Sequence, residues 1–350
     1  MKRVLVATLL LVAIAALTSA QSGGQDYIVT LQAGHSIKGF NARHGTQTIQ
    51  QIPDTSTYLV RSNAPDPQNI ILNQIQNDAR VALAEKNSKI SLQSAQVPLT
   101  NVLVSAMAEL LDGQTLTTFY GTNVLKSYVT QPALSLIHVT DTRTISTGAG
   151  TRVAYIDTGV DPYHPALAPW LDPGVDVLNN TSTSEVDGLS SAMAELLDGG
   201  GSSLLDSRFF FALDSAMAEL LDGEHDNGAF PPDFGHGTMV AGMIHIVAPN
   251  ARIVPIKAFD PYGNTTMFNI ISGVYAARNL GVDVLNMSFS TTQDSVTFRK
   301  AVTDAHAAGI AIVASAGNNA ANSATYFPAS YANVIGVAAT DFNNRLASFS

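Results

Sequence analysis

The sequence contains no cysteine. That excludes a disulfide framework and any thiolate metal site. Charge is sparse too: 13% of residues are charged and 46% are hydrophobic, so the chain can bury a sizeable core. It also lacks a cationic surplus. The formal net charge is −10, which argues against nucleic acid as a partner. Beyond the N-terminus no apolar run approaches the ~20 residues needed to span a bilayer. The N-terminus itself is apolar. Lys2 and Arg3 precede Val4 to Leu17, interrupted only by Thr8, and Thr18-Ser19-Ala20 then supplies small residues. This pattern reads as a secretory signal over residues 1–20, cut after Ala20. A membrane anchor is the alternative reading, but the run is short for it. The expected product is secreted (extracellular or periplasmic) and has no membrane contact after signal cleavage.

A chain of 350 residues has room for two or three domains. Residues 26–91 read as strand, helix, strand, strand, helix, strand, which suggests a small ferredoxin-like α+β unit. Residues 92–127 have no sustained period and read as a linker. From Gly148 onward, β-branched strands alternate with helices: Arg152–Ile156, a helix opened by His236, Arg252–Ala258, Met267–Asn279, Val282–Met287, Ser295–Ala308, Ile310–Ala314 and Val334–Ala338. That rhythm predicts an α/β domain over 128–350, a parallel sheet with helices on both faces. A polar, Gly/Ser-rich insertion is expected at 172–233.

One nonapeptide, Ser-Ala-Met-Ala-Glu-Leu-Leu-Asp-Gly, occurs three times, at 105–113, 191–199 and 215–223. Each copy has Ser as N-cap, Gly as C′ and one apolar stripe, but is too short to be a stable helix alone. All three fall between predicted core elements. They read as a duplicated insertion tolerated in surface loops rather than as a docking peptide.

Three residues carry the chemistry. Asp157 ends the strand Val153-Ala154-Tyr155-Ile156, where an α/β sheet presents its ligand crevice. His236 stands between two glycines at a helix start. Asn318 ends Ala314-Ser315-Ala316-Gly317. An acid, an imidazole and an amide at the ends of apolar elements are three parts of an acyl-transfer site. Each also has a plain reading as a solvated turn residue. His164, in Tyr163-His164-Pro165, reads as a structural turn residue rather than a ligand.

Together the motifs resemble the subtilisin-like serine endopeptidases. Ile156-Asp157-Thr158-Gly159-Val160-Asp161-Pro162-Tyr163-His164-Pro165 resembles the family's Asp motif. Phe234 to Gly242 resembles its His motif, and Val247 to Ala251 the segment after it. Leu285 to Ser290 resembles the strand lining the first specificity pocket, and Ala314 to Asn318 the pocket wall and oxyanion Asn. The resemblance runs from about Tyr128 to Ser350. It implies that Asp157 orients His236, that His236 is the general base and acid, and that Asn318 stabilises the oxyanion. It also implies peptide binding at Ser288, Phe289 and Ser290 and at Ser315, Ala316 and Gly317. The partners implied are protein or peptide substrates and, in cis, the chain's own propeptide, with 26–91 as an inhibitory, chaperone-like segment.

The sequence departs from that pattern. The family's nucleophile lies in Gly-Thr-Ser-x-Ala on a later helix, and no Gly-Thr-Ser occurs here. The parallel sheet is therefore expected to be incomplete at its C-terminal side. The chain alone is expected neither to fold cooperatively nor to cleave casein. No cofactor is implied and no metal ligands are assigned. The family's calcium site does not carry over, because Ala166 follows Pro165 and the stretch from Gly242 to Val247 is short. Calcium elsewhere has no assignable site. Three readings follow: the N-terminal portion of a secreted zymogen, a truncated pseudo-protease that at most binds peptides, and a secreted α/β binding module. The joint motif match leaves little room for the third.

Overall fold

The computed structural model describes residues 23–92, 116–178, 233, 235–320 and 326–350. The signal segment, all three nonapeptide copies and Phe234 lie outside the described residues. The chain divides into two units, Met1–Asn87 and Ser88–Ser350.

In the first unit, alternating apolar residues build four strands around two short helices. These are β1 (Asp26–Leu31), α1 (Ile37–His44), β2 (Thr46–Gln51), β3 (Thr57–Ser62), α2 (Ile70–Gln76) and β4 (Val81–Lys86). The antiparallel sheet has the order β2-β3-β1-β4. Tyr27, Val29 and Leu31 point to one face of β1, where they meet Phe40 of α1 and Ile75 of α2. Asp66 fixes the entry to α2, accepting from the Tyr27 hydroxyl at 2.7 Å and the Leu72 N–H at 3.0 Å.

The second unit starts with β5 (Lys89–Ser91), β6 (Leu116–Phe119), β7 (Thr122–Leu125) and three short helices, α3 (Lys126–Val129), α4 (Pro132–Leu136) and α5 (Val139–Ile145). Its main elements follow: β8 (Arg152–Asp157), β9 (Val175–Asp176), α6 (His236–Val247), β10 (Arg252–Lys257), β11 (Asn264–Thr266), α7 (Met267–Asn279), β12 (Val284–Met287), α8 (Val296–Ala307), β13 (Ala311–Ser315) and β14 (Val334–Val337). Six strands form one sheet in the order β14-β13-β12-β8-β10-β9, and every pair is parallel. Successive strand residues face opposite sides. Tyr155 and Ile253 pack with Ala241 of α6 on one side. Ile156 and Ile256 meet α7 on the other, where a Cβ at Gly273 would lie 3.1 Å from Ile156 Cδ1. Helices thus cover both faces. Thr266 caps α7, and Ser295 caps α8 by accepting from the Phe298 N–H at 3.0 Å.

Two stretches differ from their sequence reading. The expected linker holds the hairpin β6–β7, turned by Tyr120 and Gly121 at φ 45° and 88°. Positive φ at both turn residues suits a tight hairpin, but Tyr at the first hid the signal. Phe119 and Val124 anchor the hairpin to Tyr128, Leu134, Val139 and Ile246. The expected insertion begins with sheet: Val175–Asp176 pairs with β10 before the described residues stop at Leu178. Two residues are too few to show a period.

Asp172 locks that edge. It accepts from Arg152 Nε at 3.0 Å and Arg252 Nε at 2.7 Å. Burial alone would raise its pKa, but the two guanidiniums outweigh this and lower it. Its stabilising effect is therefore present above the unfolded value of ~3.9 and lost as pH falls through the lower folded value. Asp172→Ala is expected to lower stability by about 2 kcal/mol, the usual cost of charge-assisted hydrogen bonds. The loss is read from the urea midpoint at pH 7 and should shrink in strong acid.

Candidate active site

Asp157 closes β8, with only 1% of its surface exposed. A buried carboxylate must be paired and hydrogen-bonded to stay charged. Its Oδ1 accepts from His236 Nδ1 at 2.7 Å and from the Thr158 N–H at 2.8 Å. Its Oδ2 has no hydrogen-bond partner among the described residues.

His236 is the first residue of α6, and glycine on either side makes the contact possible. Gly235, the N-cap, has φ 82°. At Gly237 a Cβ would sit 2.1 Å from the Gly159 carbonyl oxygen, so only glycine lets the helix start reach the loop after β8. Two hydroxyls lace the loop to the helix. Thr158 Oγ1 accepts from the Gly237 N–H at 3.1 Å, and Thr238 Oγ1 accepts from the Asp161 N–H at 2.8 Å. Sequence reasoning passed over both threonines. The only signal was a hydroxyl residue one place after the acid and two after the imidazole.

With Nδ1 donating to Asp157, Nε2 carries the lone pair that can take a proton. The His236 side chain keeps 27% of its surface exposed, enough for a reactant to approach. Burial alone would lower its pKa. The charge and hydrogen bond of Asp157 and the charge of Asp233 overcome this, and the net shift is upward. The pair's contribution to stability is full below ~6.5 and is lost as pH rises through the higher folded value. Asp233 is buried, and its carbonyl accepts from the His236 N–H at 3.2 Å.

The other expected site residues lie along the same edge of the sheet. Ala314 is level with Met287, and Asn286 with Tyr155, so β13 ends beside the end of β8 with β12 between them. Asn318 is three residues past the end of β13, which lies two strands across the sheet from β8. The structure brings Asp157 and His236 into contact, and puts Asn318 on the same rim. Gly317 has φ 104° and packs under Tyr326. The Ala316 N–H donates to the Val337 carbonyl at 2.9 Å, and Ser315 Oγ accepts from the Gly317 N–H at 3.3 Å. Ser288 follows β12 and is half-buried, its Oγ accepting from Asn286 Nδ2 at 2.9 Å. Phe289 and Ser290 are buried, and the Phe289 ring packs on Phe259 at 5.1 Å. Any contact of Phe289 with a peptide therefore falls to its backbone. His164 Nδ1 accepts from the Ala166 N–H at 3.2 Å and serves the turn. Among the described residues, no group of three or more His, Asp or Glu side chains is placed to hold a metal ion.

Replacing Asp157 by Asn removes the charge and keeps the burial. His236 in Asp157→Asn should then titrate below its wild-type value. NMR titration of the ring protons reads this, and an unchanged value would contradict the electrostatic pairing.

A family model described as the subtilase family matches residues 148–350. The chain is 33% identical over 202 residues to a thermophilic serine proteinase of Bacillus sp. (strain AK1), covering 58% of this chain and 41% of that protein. It is 36% identical over 131 residues to minor extracellular protease Epr of Bacillus subtilis (strain 168), covering 35% of this chain and 20% of that protein. The chain thus spans less than half the length of these curated relatives. Among solved structures, a serine-to-alanine mutant of the epidermin leader peptide processing serine protease from Staphylococcus aureus is similar. Its TM-score is 0.57 at 16% identity, covering 94% of this chain and 73% of that one, a likeness of fold. The buried acid and the glycine-flanked histidine lie inside the matched segment, and the chain belongs to the subtilase family.

Proposed function

We propose that the protein is a secreted serine endopeptidase made as a zymogen, hydrolysing peptide bonds with an Asp-His-Ser triad. The observation that carries this is the 2.7 Å bond between buried Asp157 and partly exposed His236, at the sheet edge that also bears Asn318. In this reading His236 Nε2 takes the proton from the nucleophile and returns it to the leaving amine. Asp157 holds the ring's orientation and stabilises its cation, and Asn318 donates to the tetrahedral oxyanion. The triad calls for a Ser nucleophile, and the family's Gly-Thr-Ser motif does not occur in these 350 residues. The 288–290 and 315–317 segments flank the bound peptide.

Three features support export and a zymogen. Residues 1–20 have the signal pattern. One relative is by name an extracellular protease. β5 adds antiparallel to β11, with Ser91 opposite Asn264 and the Leu92 N–H donating to the Gly263 carbonyl at 2.7 Å. A Cβ at Gly263 would touch both Leu92 Cβ and Asp233 Oδ2, so this upstream strand ends beside the residue whose carbonyl holds the His236 N–H. The segment before it would act as the inhibitory propeptide.

The 350-residue chain alone is expected not to cleave casein. A protein in which these residues are supplied with a Ser nucleophile should cleave it, and His236→Ala should reduce the rate by at least roughly 10²–10⁴-fold, the contribution of a positioned general base. Casein hydrolysis unaffected by His236→Ala would refute the assignment. Such a protein that binds peptide and never cleaves would favour the pseudo-protease.

A further inference from the structure

The far end of α6 carries a second histidine that the proposed chemistry does not use. His245 lies in the last turn and is fully buried. Neither of its ring nitrogens has a hydrogen-bond partner among the described residues, and neither have Arg143 Nε and Trp170 Nε1 beside it. Phe119 of β6 meets the ring edge-on at 5.3 Å, and Trp170 stacks on it at 5.5 Å. Arg143 of α5 lies over Phe119, 5.0 Å from the ring centroid, and donates to the carbonyl of Ile246.

The charges around His245 all disfavour a proton on it. A helix C-terminus normally welcomes a cation, but Arg143 already fills that role at Ile246. From the turn before Trp170, buried His164 faces His245 as a second basic group, and Asp161 acts on His164. From α3, the Tyr128 hydroxyl donates to the Gly242 carbonyl at 2.6 Å and stays protonated. Among the described residues no carboxylate bonds to Arg143 or His245. A cation on His245 would be desolvated, without an acceptor and beside a fixed guanidinium.

We propose that His245, Arg143 and Trp170 form an acid-released latch. With His245 neutral it clamps α5 and the β6–β7 hairpin onto the C-terminal half of α6, and protonation of His245 opens it. The elements freed are packed on the helix whose first residue is His236.

The sign follows from linkage. Burial first, then Arg143 and His164, push the His245 pKa down to about 4. In the open state the ring takes a proton near ~6.5. Between these values the open state binds more protons, so closure weakens as pH falls from ~6.5 and levels off below the folded value. The opening constant rises at most tenfold per pH unit, roughly 10²–10³-fold in all.

Hydrogen exchange of the native protein tests this, with rates corrected for intrinsic pH dependence. From pH 7 to pH 5 the amides of 116–125 and 139–145 should open about 20–30-fold more, while those of β8 and β12 stay unchanged. His245→Phe keeps an aromatic ring that cannot be protonated, and should abolish the rise. The same rise in His245→Phe, or an equal rise across the sheet, would overturn the proposal. Should that variant not fold, NMR titration of the wild-type His245 ring decides. A ring neutral down to pH 5 supports the latch, and one that protonates near pH 6.5 without exposing 116–125 overturns it.

Discussion

Everything at the site depends on how closely the first turn of α6 approaches the end of β8. That approach exists because position 237 has no side chain: a Cβ there would collide with the Gly159 carbonyl. Once the backbones touch, the Thr158 and Thr238 hydroxyls can each accept an N–H from across the gap. The imidazole then has little choice of position. It is the next side chain along, and its Nδ1 meets a carboxylate that β8 delivers already buried. Packing thus sets the geometry, and electrostatics follow from it.

The same helix carries two histidines with opposite fates. Both lose solvation, which disfavours charge on either. At the N-terminal end, Asp157 and Asp233 reverse that effect and raise the His236 pKa. At the C-terminal end, Arg143 and His164 add to it, and His245 stays neutral. A helix dipole alone would predict the reverse order, since its positive end is at His236. Full charges at contact distance, in a poorly solvated setting, outweigh the partial charges of the helix ends.

Much of this was legible in the sequence where the signal is local. The α7 span, Met267–Asn279, is the one expected from the alternation of strands and helices, and the structure adds Thr266 as its cap. The β-branched runs of β8, β10 and β13 read as strands because both their faces are buried. Asp157 stood out because it ends an apolar strand, and His236 because it begins an apolar helix between two glycines. What stayed hidden needs partners far away in the chain. The β6–β7 hairpin looks like a linker until Ile246 and Val139 cover Phe119. β9 is two residues long, and β5 is a strand only because β11 lies beside it. His245 was one more letter in a small apolar helix. Its character comes from Arg143, Phe119 and Trp170, none of which is near it in sequence.

The central claim is that the Asp157–His236 pair is half of a working acyl-transfer site rather than a relic. The most direct measurement uses the native protein. Culture supernatant and cell lysate are treated with a fluorophosphonate, which labels an activated serine, and the labelled material is digested and mapped. The account predicts a labelled protein that yields peptides from 128–350. A protein that yields those peptides and takes up no label would contradict it.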